Sequence, residues 1–229
     1  SAQLVEKLID AEDIGWSLAP RLNAAGRMGH AIGSYQLLTT ESETEAVALA
    51  ERLELTNRQR QQVTDESFDR ARELLGDEFG PLIMIDDPSF LPGIIGLVAG
   101  KLAREFHRPA VVVTSGSEVS RGSCRSISEF DIGGALYGAA AEGVSFLAYG
   151  GHTQAAGFTI ATEKLPDLRE KLIEAAGVQL QGRELRPYQE IDEVIELGSL
   201  PADTYRLIQT LAPFGEGNPV PVFLSRGVQ

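Results

Sequence analysis

The stretch LIMIDDPSFLPGIIGLVAGKLAREFHRPAVVVT, residues 82–114, predicts two short strands with a helix between them. Residues 82–85 and 110–114 are short apolar, β-rich runs, whereas residues 93–106 favour a helix. Strands that alternate with helices along a chain are typical of the α/β fold class. We therefore expect a small α/β domain in this part of the chain.

This domain extends to about residue 178. The sequence predicts further strands at 119–124 and 158–161 and further helices at 131–141 and 165–176. These elements complete a compact unit, which we place at residues 80–178.

The flanking segments have a different pattern. Residues 41–79 predict one long helix with a strongly polar middle, which suits a helix that connects domains or lines a groove, although solvent exposure alone also explains the polarity. Residues 1–11 also favour a helix. Residues 179–229 begin with a polar linker, 179–187. The β-rich segment that follows the linker is too short to complete a β-domain.

The composition is that of a soluble globular protein, with 43% hydrophobic and 23% charged residues among 229. No apolar run is long enough to cross a bilayer, and the first residues lack both a secretory signal and an initiator methionine, so we expect part of a longer protein with no membrane partner. The single cysteine, Cys124, favours a cytoplasmic protein. A net charge of −13 is unusual for a nucleic-acid-binding protein, so any phosphate binding must be local.

The segment Gly150-Gly151-His152-Thr153-Gln154-Ala155-Ala156-Gly157 places an imidazole between a flexible glycine turn and small residues. Glycine lets a ligand approach the main chain, so the backbone of Gly150 and Gly151 and the ring of His152 are candidates for binding a phosphate. The alternative is a packing turn with a buried, hydrogen-bonded histidine. The segment alone leaves both interpretations open.

A second candidate site is the end of the predicted strand 119–124. Alternation along this strand sends Ser123 and Arg125 to the same face. A hydroxyl and a planar guanidinium together suit phosphate oxygens, while the absence of an adjacent histidine argues against a serine nucleophile. The alternative is an exposed arginine on an edge strand.

The segment Pro20–Met28 carries Arg21 and Arg27 on either side of a predicted turn of small residues. Two cations beside small residues again suit an anion. For Arg21 a structural role, as a helix cap or an ion-pair partner, is the favoured interpretation.

No grouping of residues resembles a metal site. Asp86 and Asp87 are adjacent carboxylates at a strand end, where they point apart, and no histidine lies near them in the sequence. His30 and His107 are isolated, and a helix end accounts for His107. The sequence therefore contains phosphate-binding candidates without hydrolytic machinery.

Taken in order, the motifs resemble the RecJ family of single-stranded-DNA-specific exonucleases. The resemblance covers nearly the whole chain and rests on Arg-Leu-Asn-Ala-Ala-Gly-Arg (21–27), Pro-Gly-Ile-Ile-Gly-Leu-Val-Ala (92–99), Gly-Ser-Cys-Arg-Ser-Ile (122–127), the glycine-histidine segment (150–157) and Pro-Phe-Gly-Glu-Gly-Asn-Pro (213–219). The glycine-histidine segment alone indicates only a DHH-associated domain, which several phosphoesterases and alanyl-tRNA synthetases share. The first and last motifs narrow the resemblance to RecJ.

The resemblance implies a domain organisation. Residues 1–40 would end the catalytic lobe, 41–79 would form the connecting helix, 80–178 the DHH-associated α/β domain with a mixed sheet flanked by helices, and 179–229 a linker and the truncated start of an OB-like DNA-binding domain. In this family a preceding DHH lobe binds two Mn²⁺ or Mg²⁺ ions, and no Asp-His-His occurs here. We expect no metal bound by this chain. Single-stranded DNA is the implied partner, with a helicase and a single-strand-binding protein as further candidates.

The resemblance also implies roles for single residues. Ser123 and Arg125 would hold the 5′ end or a phosphate near the scissile bond, Arg27 would neutralise a neighbouring phosphate, and His152 with Gly150 and Gly151 would face the metal centre of the other lobe. Asn57 and Gln61, one helical turn apart, are weaker candidates for contacting bases or sugars. The family commonly has Trp-His before Pro-Gly-Ile-Ile-Gly, whereas this chain has Phe90-Leu91.

These features favour the substrate-gripping part of a 5′-to-3′ single-stranded-DNA exonuclease of DNA repair and recombination, inactive by itself. One alternative is a nonenzymatic nucleic-acid-binding or scaffold module of a RecJ-like protein. The other is a phosphoesterase acting on oligonucleotides or dinucleotides. The 213–219 motif argues against it, because a short substrate needs no additional strand-binding domain. The oligomeric state is not predicted.

Overall fold

The computed structural model describes residues 9–76, 79–196, 198, 200–201 and 203–228. The chain divides into two compact units, Ala24–Arg186 and the combination of Ser1–Asn23 with Pro187–Gln229. Most of the helix predicted at 1–11 lies outside the described residues. No helix among the described residues has the length and apolarity needed to span a membrane.

A mixed sheet forms the centre of the larger unit, as predicted, and it has five strands, one more than expected. Strands β1 and β2 are parallel, and the other neighbouring pairs in the order β1-β2-β3-β5-β4 are antiparallel. The strands are β1 Ile83–Asp87, β2 Ala110–Thr114, β3 Val119–Arg125, β4 Phe146–His152 and β5 Ala155–Ala161.

The helices that accompany the sheet are α1 Ala19–Met28, α2 Ile32–Thr39, α3 Glu43–Leu75, α4 Ile95–Phe106, α5 Ile132–Ala141 and α6 Leu165–Gln179. The predicted long helix is therefore present as α3, which has 33 residues. The Ser42 side chain accepts a hydrogen bond from the backbone N–H of Glu45 at its start. Gly76 ends the helix with φ +68°, a conformation that glycine adopts without steric cost.

Alternation along the strands builds a separate core on each face of the sheet. Helices α3 and α4 cover one face, where Ile83, Ile85 and Val112 are buried. Helices α5 and α6 cover the other face, where buried side chains include Val111 and Phe158. Full burial of each such side chain stabilises the fold by about 1.5–3 kcal/mol, so packing on both faces fixes the position of β1 and β2.

Two segments that were predicted as turns are regular structure. Gly150 and Gly151 belong to β4, and the turn consists of Thr153 and Gln154, because pairing with β5 satisfies the backbone groups of the glycines. Pro20–Met28 lies within α1, where alanines favour a helix and packing overrides the local glycine signal. Strand β4 was missed because its sequence, FLAYGGH, gives no alternating pattern of apolar and polar residues.

The part of the smaller unit that the structure describes after residue 186 contains little regular structure. Strands β6 Glu193–Val194 and β7 Phe223–Leu224 pair in parallel, with helix α7 Thr204–Gln209 between them in sequence. The described part of the β-rich segment thus contributes these two short strands. The Asn218 side-chain amide donates to the carbonyls of Leu211 and Pro213, which accounts for a polar residue in this Gly- and Pro-rich turn.

Candidate functional site

The register of the sheet aligns three rows of residues on the face that α4 covers. In the first row Arg125 of β3 is opposite Ala155, which is opposite His152 of β4. In the second row Ser123, Gly157 and Gly150 are aligned in the same way. The third row consists of Arg121, Thr159 and Ala148. Directly opposed residues share one face of a sheet, so both predicted motifs point to the same side.

Helix α4 packs on β2 and β3, while the residues of β4 and β5 on this face stay partly or fully exposed. We call this surface the open face, and it consists of Ala148, Gly150, His152, Ala155, Gly157 and Thr159. Its side chains are small apart from the imidazole. The open face is therefore a shallow floor that extends from the arginine-bearing strand β3 to the edge strand β4.

Ser123 and Arg125 lie at the boundary between α4 and the open face, and both are half-buried. Arg125 Nη1 donates to the carbonyl of Cys124 at 2.7 Å and lies 3.5 Å from Ser123 Oγ. A Cβ on Gly96 of α4 would be only 2.9 Å from Ser123 Oγ and 3.1 Å from Arg125 Nη2. Gly96 thus lets the hydroxyl and the guanidinium lie directly against the first turn of α4.

Arg27 reaches the same helix end from a distant part of the chain. Its Nη1 donates to the carbonyl of Gly93 at 3.3 Å. A Cβ on Gly93 would lie 1.9 Å from the Arg27 carbonyl oxygen, so only glycine permits this approach. Gly93 and Gly96, three residues apart in sequence, therefore bring Arg27 and the Ser123–Arg125 pair to one end of α4.

Arg60 of α3 is a further cation near this end of α4. Burial and then the positive charge of Arg27 lower the pKa of the Arg60 guanidinium, while Asp65 opposes the shift. Arg60 Nη2 donates to Asn57 Oδ1 at 2.7 Å, and Asn57 is buried. Asn57 therefore orients Arg60 in this structure, whereas its contact with bases stays a prediction.

His152 projects from the far edge of the open face and is exposed. Its ring makes no hydrogen bond or ion pair within the described parts of the chain. The backbone of the hairpin is anchored instead, because Ile132 N donates to the Thr153 carbonyl and Gln154 Nε2 donates to the Ile127 carbonyl. The predicted alternative of a buried, hydrogen-bonded histidine is therefore wrong.

The remaining predicted residues are not gathered at this end of α4. Gln61 is exposed on α3. Arg21 is on α1 but in the smaller compact unit, and its Nη1 donates to the Ser17 carbonyl at 2.6 Å.

The electrostatics of this cluster favour an anion. Among the described residues, no carboxylate forms an ion pair with Arg27, Arg60 or Arg125, although acidic residues outnumber basic ones by 33 to 20 in the chain. Uncompensated guanidinium groups beside a serine hydroxyl suit the oxygens of a phosphate. We call Arg27, Arg60, Ser123 and Arg125 the arginine cluster.

A divalent metal does not fit the residues that the structure describes. Within those ranges, no three His, Cys, Asp or Glu side chains lie close enough together to hold an ion. Of the six residues that form the open face, His152 alone has a side chain that commonly binds a metal ion. No chemical step can therefore be assigned to a metal that these residues hold.

The sequence signals missed Arg60 and the spacing of the two glycines. Arg60 falls in the polar middle of α3, where solvent exposure explained every residue equally well. Gly93 and Gly96 were part of the family motif, but only the packing assigns their separate roles.

Comparison with known proteins identifies the domains. Residues 82–177 match the DHHA1 domain model, and residues 191–229 match the RecJ OB domain model. The five-stranded sheet with its two helical layers is thus a DHHA1 domain, and an OB segment follows it.

The chain belongs to the RecJ family. It is 35% identical over 215 residues to the single-stranded-DNA-specific exonuclease RecJ of Bacillus subtilis, covering 92% of this chain and 27% of that protein. It is 34% identical over 219 residues to the Thermus thermophilus protein of the same name, covering 95% of this chain and 31% of that protein. The chain therefore spans less than a third of the length of these two relatives.

The fold agrees with solved RecJ structures. The crystal structure of RecJ in complex with Mn²⁺ from Thermus thermophilus has a TM-score of 0.82 at 30% identity, over 94% of this chain and 32% of that one. A Mg²⁺ complex of RecJ from the same organism has a TM-score of 0.80 at the same identity, over 93% and 33% of the two chains. Both of these solved RecJ structures are complexes with a divalent metal ion.

Proposed function

We propose that this chain is the substrate-holding part of a metal-dependent 5′-to-3′ single-stranded-DNA exonuclease that acts in DNA repair and recombination in the cytoplasm. The observation that carries the proposal is the arginine cluster at the end of α4, at the border of an open face floored by small residues. The domain organisation 1–40, 41–79, 80–178 and 179–229 is part of the proposal.

The arrangement of the open face supports a strand of nucleic acid as the ligand. Ser123 and Arg125 would hold one phosphate, because a guanidinium and a hydroxyl can bind two of its oxygens at once. Arg27 and Arg60 would neutralise a neighbouring phosphate. The floor of Ala155, Gly157 and Gly150 leaves room for the sugar-phosphate backbone to lie flat.

His152 lies in the same row as Arg125, two strands away, which corresponds to roughly 10 Å between their Cα atoms. A phosphate held by Arg125 would therefore have the imidazole within reach of the next group along the substrate. In the full-length protein, residues outside this chain would bind the metal ions, and those ions would activate the attacking water. The role of this chain is to bind the substrate, hold its orientation and present it to that centre.

The proposal is tested by the anisotropy of a fluorescent single-stranded oligonucleotide with the 229-residue chain across a range of salt concentrations. We expect tighter binding of the 5′-phosphorylated than of the 5′-hydroxyl oligonucleotide and an affinity that falls with salt. Arg125→Ala should weaken binding roughly tenfold, the loss of one charge-assisted contact, with little change in melting temperature. Arg104→Ala, which removes an exposed arginine two turns further along α4, is the matched control.

Three outcomes would contradict the proposal. An affinity for the oligonucleotide that does not depend on the salt concentration would exclude binding through its phosphates. Equal losses from Arg125→Ala and Arg104→Ala would show only nonspecific attraction. Degradation of the oligonucleotide by the purified chain with Mn²⁺ would show that it holds a catalytic centre of its own.

The nonenzymatic module is the second candidate, since the same binding results would arise from a scaffold. The two are separated with the full-length protein. Turnover of 5′-phosphorylated single-stranded DNA that falls with Arg125→Ala supports the exonuclease, whereas binding without turnover supports the module. Hydrolysis limited to dinucleotides would instead support the short-substrate phosphoesterase. A helicase and a single-strand-binding protein remain proposed partners.

A further inference from the structure

Arg121 is a cation on the open-face side of β3 that the arginine cluster does not include. It is exposed, and within the described residues its guanidinium forms no hydrogen bond or ion pair. An unpaired arginine is notable in a chain with 33 acidic residues. Because side chains alternate along a strand, Arg121 points to the same side as Ser123 and Arg125.

The third row places Arg121 beside the floor of the open face. Its opposite residue on β5 is Thr159, which is half-buried and opposite Ala148 on β4. These small side chains leave space for a ligand above the strands. Thr114 of β2 is opposite Arg121. Its Oγ1 is buried and has no hydrogen-bond partner among the described residues, so this row contains a polar atom that could still form a hydrogen bond.

The spacing of the rows matches an extended single strand. Residues two apart on a strand are separated by roughly 6.6 Å, so Arg121, Ser123 and Arg125 form an evenly spaced series along β3. Successive phosphates of an extended single strand are a comparable distance apart. A strand that follows β3 with one phosphate at Ser123 and Arg125 would bring its neighbouring phosphate to Arg121.

We propose that Arg121 binds a second backbone phosphate of single-stranded DNA, next to the phosphate held by Ser123 and Arg125. The inference rests on the proposed function. Arg121 would contribute by charge and by direct hydrogen bonds, and it would contact only ligands that extend beyond one nucleotide.

Ligands of different length distinguish the two proposed phosphate sites experimentally, because a mononucleotide can occupy only one of them. The probes are a 5′-phosphorylated single-stranded 12-mer, read by anisotropy, and thymidine 5′-monophosphate as its competitor. Arg121→Ala should weaken binding of the 12-mer roughly tenfold and leave competition by the mononucleotide unchanged. Arg125→Ala should weaken both ligands. Arg104→Ala should weaken neither.

The salt dependence gives an independent readout. The slope of log affinity against log salt for the 12-mer should become shallower by about 0.7 in Arg121→Ala, the value for one phosphate contact on a single strand. Arg121→Lys should restore the slope, because lysine keeps the charge.

The failures are distinguishable. If Arg125→Ala reduces affinity and slope while Arg121→Ala changes neither, the second phosphate site is refuted and the proposed function stands. If neither variant changes the slope, the proposed function fails and the second site fails with it. Equal loss of mononucleotide binding in both variants would place Arg121 at the first phosphate and overturn the inference.

Discussion

The carbonyl of Arg27 lies so close to Gly93 that a side chain at residue 93 would come within 1.9 Å of its oxygen. Sixty-six residues of sequence separate these two positions. The contact holds the end of α1 against the turn that precedes α4, and the Arg27 side chain donates a hydrogen bond to the Gly93 carbonyl.

We expect Gly93→Ala to lower the free energy of unfolding by about 1–3 kcal/mol, because the added methyl must displace backbone atoms. It should also weaken DNA binding, since Arg27 moves with its backbone. Urea unfolding and oligonucleotide anisotropy measure the two effects. Gly100→Ala, whose Cβ would meet only Arg125 Cγ at 3.9 Å, is the control and should be neutral or stabilising. Equal stability of the two variants would contradict the contact.

The adjacent glycines of β4 should respond in opposite ways. A Cβ on Gly150 meets nothing within 4 Å, so Gly150→Ala should leave stability nearly unchanged while its methyl narrows the open face and weakens oligonucleotide binding. A Cβ on Gly151 would lie 2.4 Å from the Cα of Ala156, so Gly151→Ala should destabilise the fold. Melting temperature and binding affinity measured in parallel distinguish the two effects. Normal binding by a folded Gly150→Ala protein would argue that the substrate lies elsewhere.

Asn57 and Arg60 should behave as one unit. Asn57→Ala removes the acceptor that orients Arg60, so it should reduce DNA affinity although Asn57 itself is buried. A double-mutant cycle with Arg60→Ala measures this coupling, and the double variant should bind about as weakly as Arg60→Ala alone. Additive losses would instead support a direct contact between Asn57 and the substrate.

The thiol of Cys124 should be unreactive in the folded protein. Burial raises the pKa of this thiol to about 12, against a smaller opposing effect of the Arg125 charge. The thiolate fraction at pH 8 is therefore on the order of one in ten thousand, and the side chain is inaccessible. Labelling with iodoacetamide should require unfolding by urea. Rapid labelling of the native protein would show that β3 opens between Ser123 and Arg125.

Stability should depend on pH through Asp87. Hydrogen bonds from the Ser89 hydroxyl and backbone, and then from Arg70, lower the pKa of the Asp87 carboxyl. A carboxyl with a lowered folded-state pKa stabilises the fold above its unfolded value of about 3.9, and this contribution is lost as the pH falls through the folded-state value.

Asp87→Asn should therefore destabilise the protein at pH 7 by roughly 1–3 kcal/mol, and the difference should shrink below about pH 4. Urea unfolding at pH 7 and at pH 3.5 measures both values. Asp69→Asn, at an exposed position on α3, is the control. A constant difference between Asp87→Asn and the parent protein at both pH values would assign the effect to shape alone.

Much of the larger unit was predictable because its elements have strong local signals. The predicted strand 110–114 has the observed bounds, and the long helix differs by a few residues at each end. The hairpin of β4 and β5 was predicted only in its last part, residues 158–161. The glycines and alanines of residues 150–157 carry no period, so extended structure there depends on the pairing of β4 with β5 and of β5 with β3. Helix α1 was not predicted because Gly26 and its small neighbours indicated a turn, whereas packing selects a helix there.

The candidate site was only partly predictable. Alternation along one strand was enough to place Ser123 and Arg125 on a common face. Whether His152 shared that face depended on the register between β3, β5 and β4, which no local pattern encodes. Arg60 required the packing of α3 beside Arg27, so nothing in its own neighbourhood distinguished it from its exposed neighbours.

The sequence by itself determined most elements of the α/β unit, the chemistry of its phosphate-binding motifs and the resemblance to the RecJ family, because periodicity and residue type act over short ranges. Only the tertiary structure decided which cations meet. Arg27, Arg60 and Arg125 come from three distant segments. Gly93 and Gly96 let the Arg27 backbone and the Ser123 and Arg125 side chains approach the start of α4 more closely than any residue with a Cβ would allow.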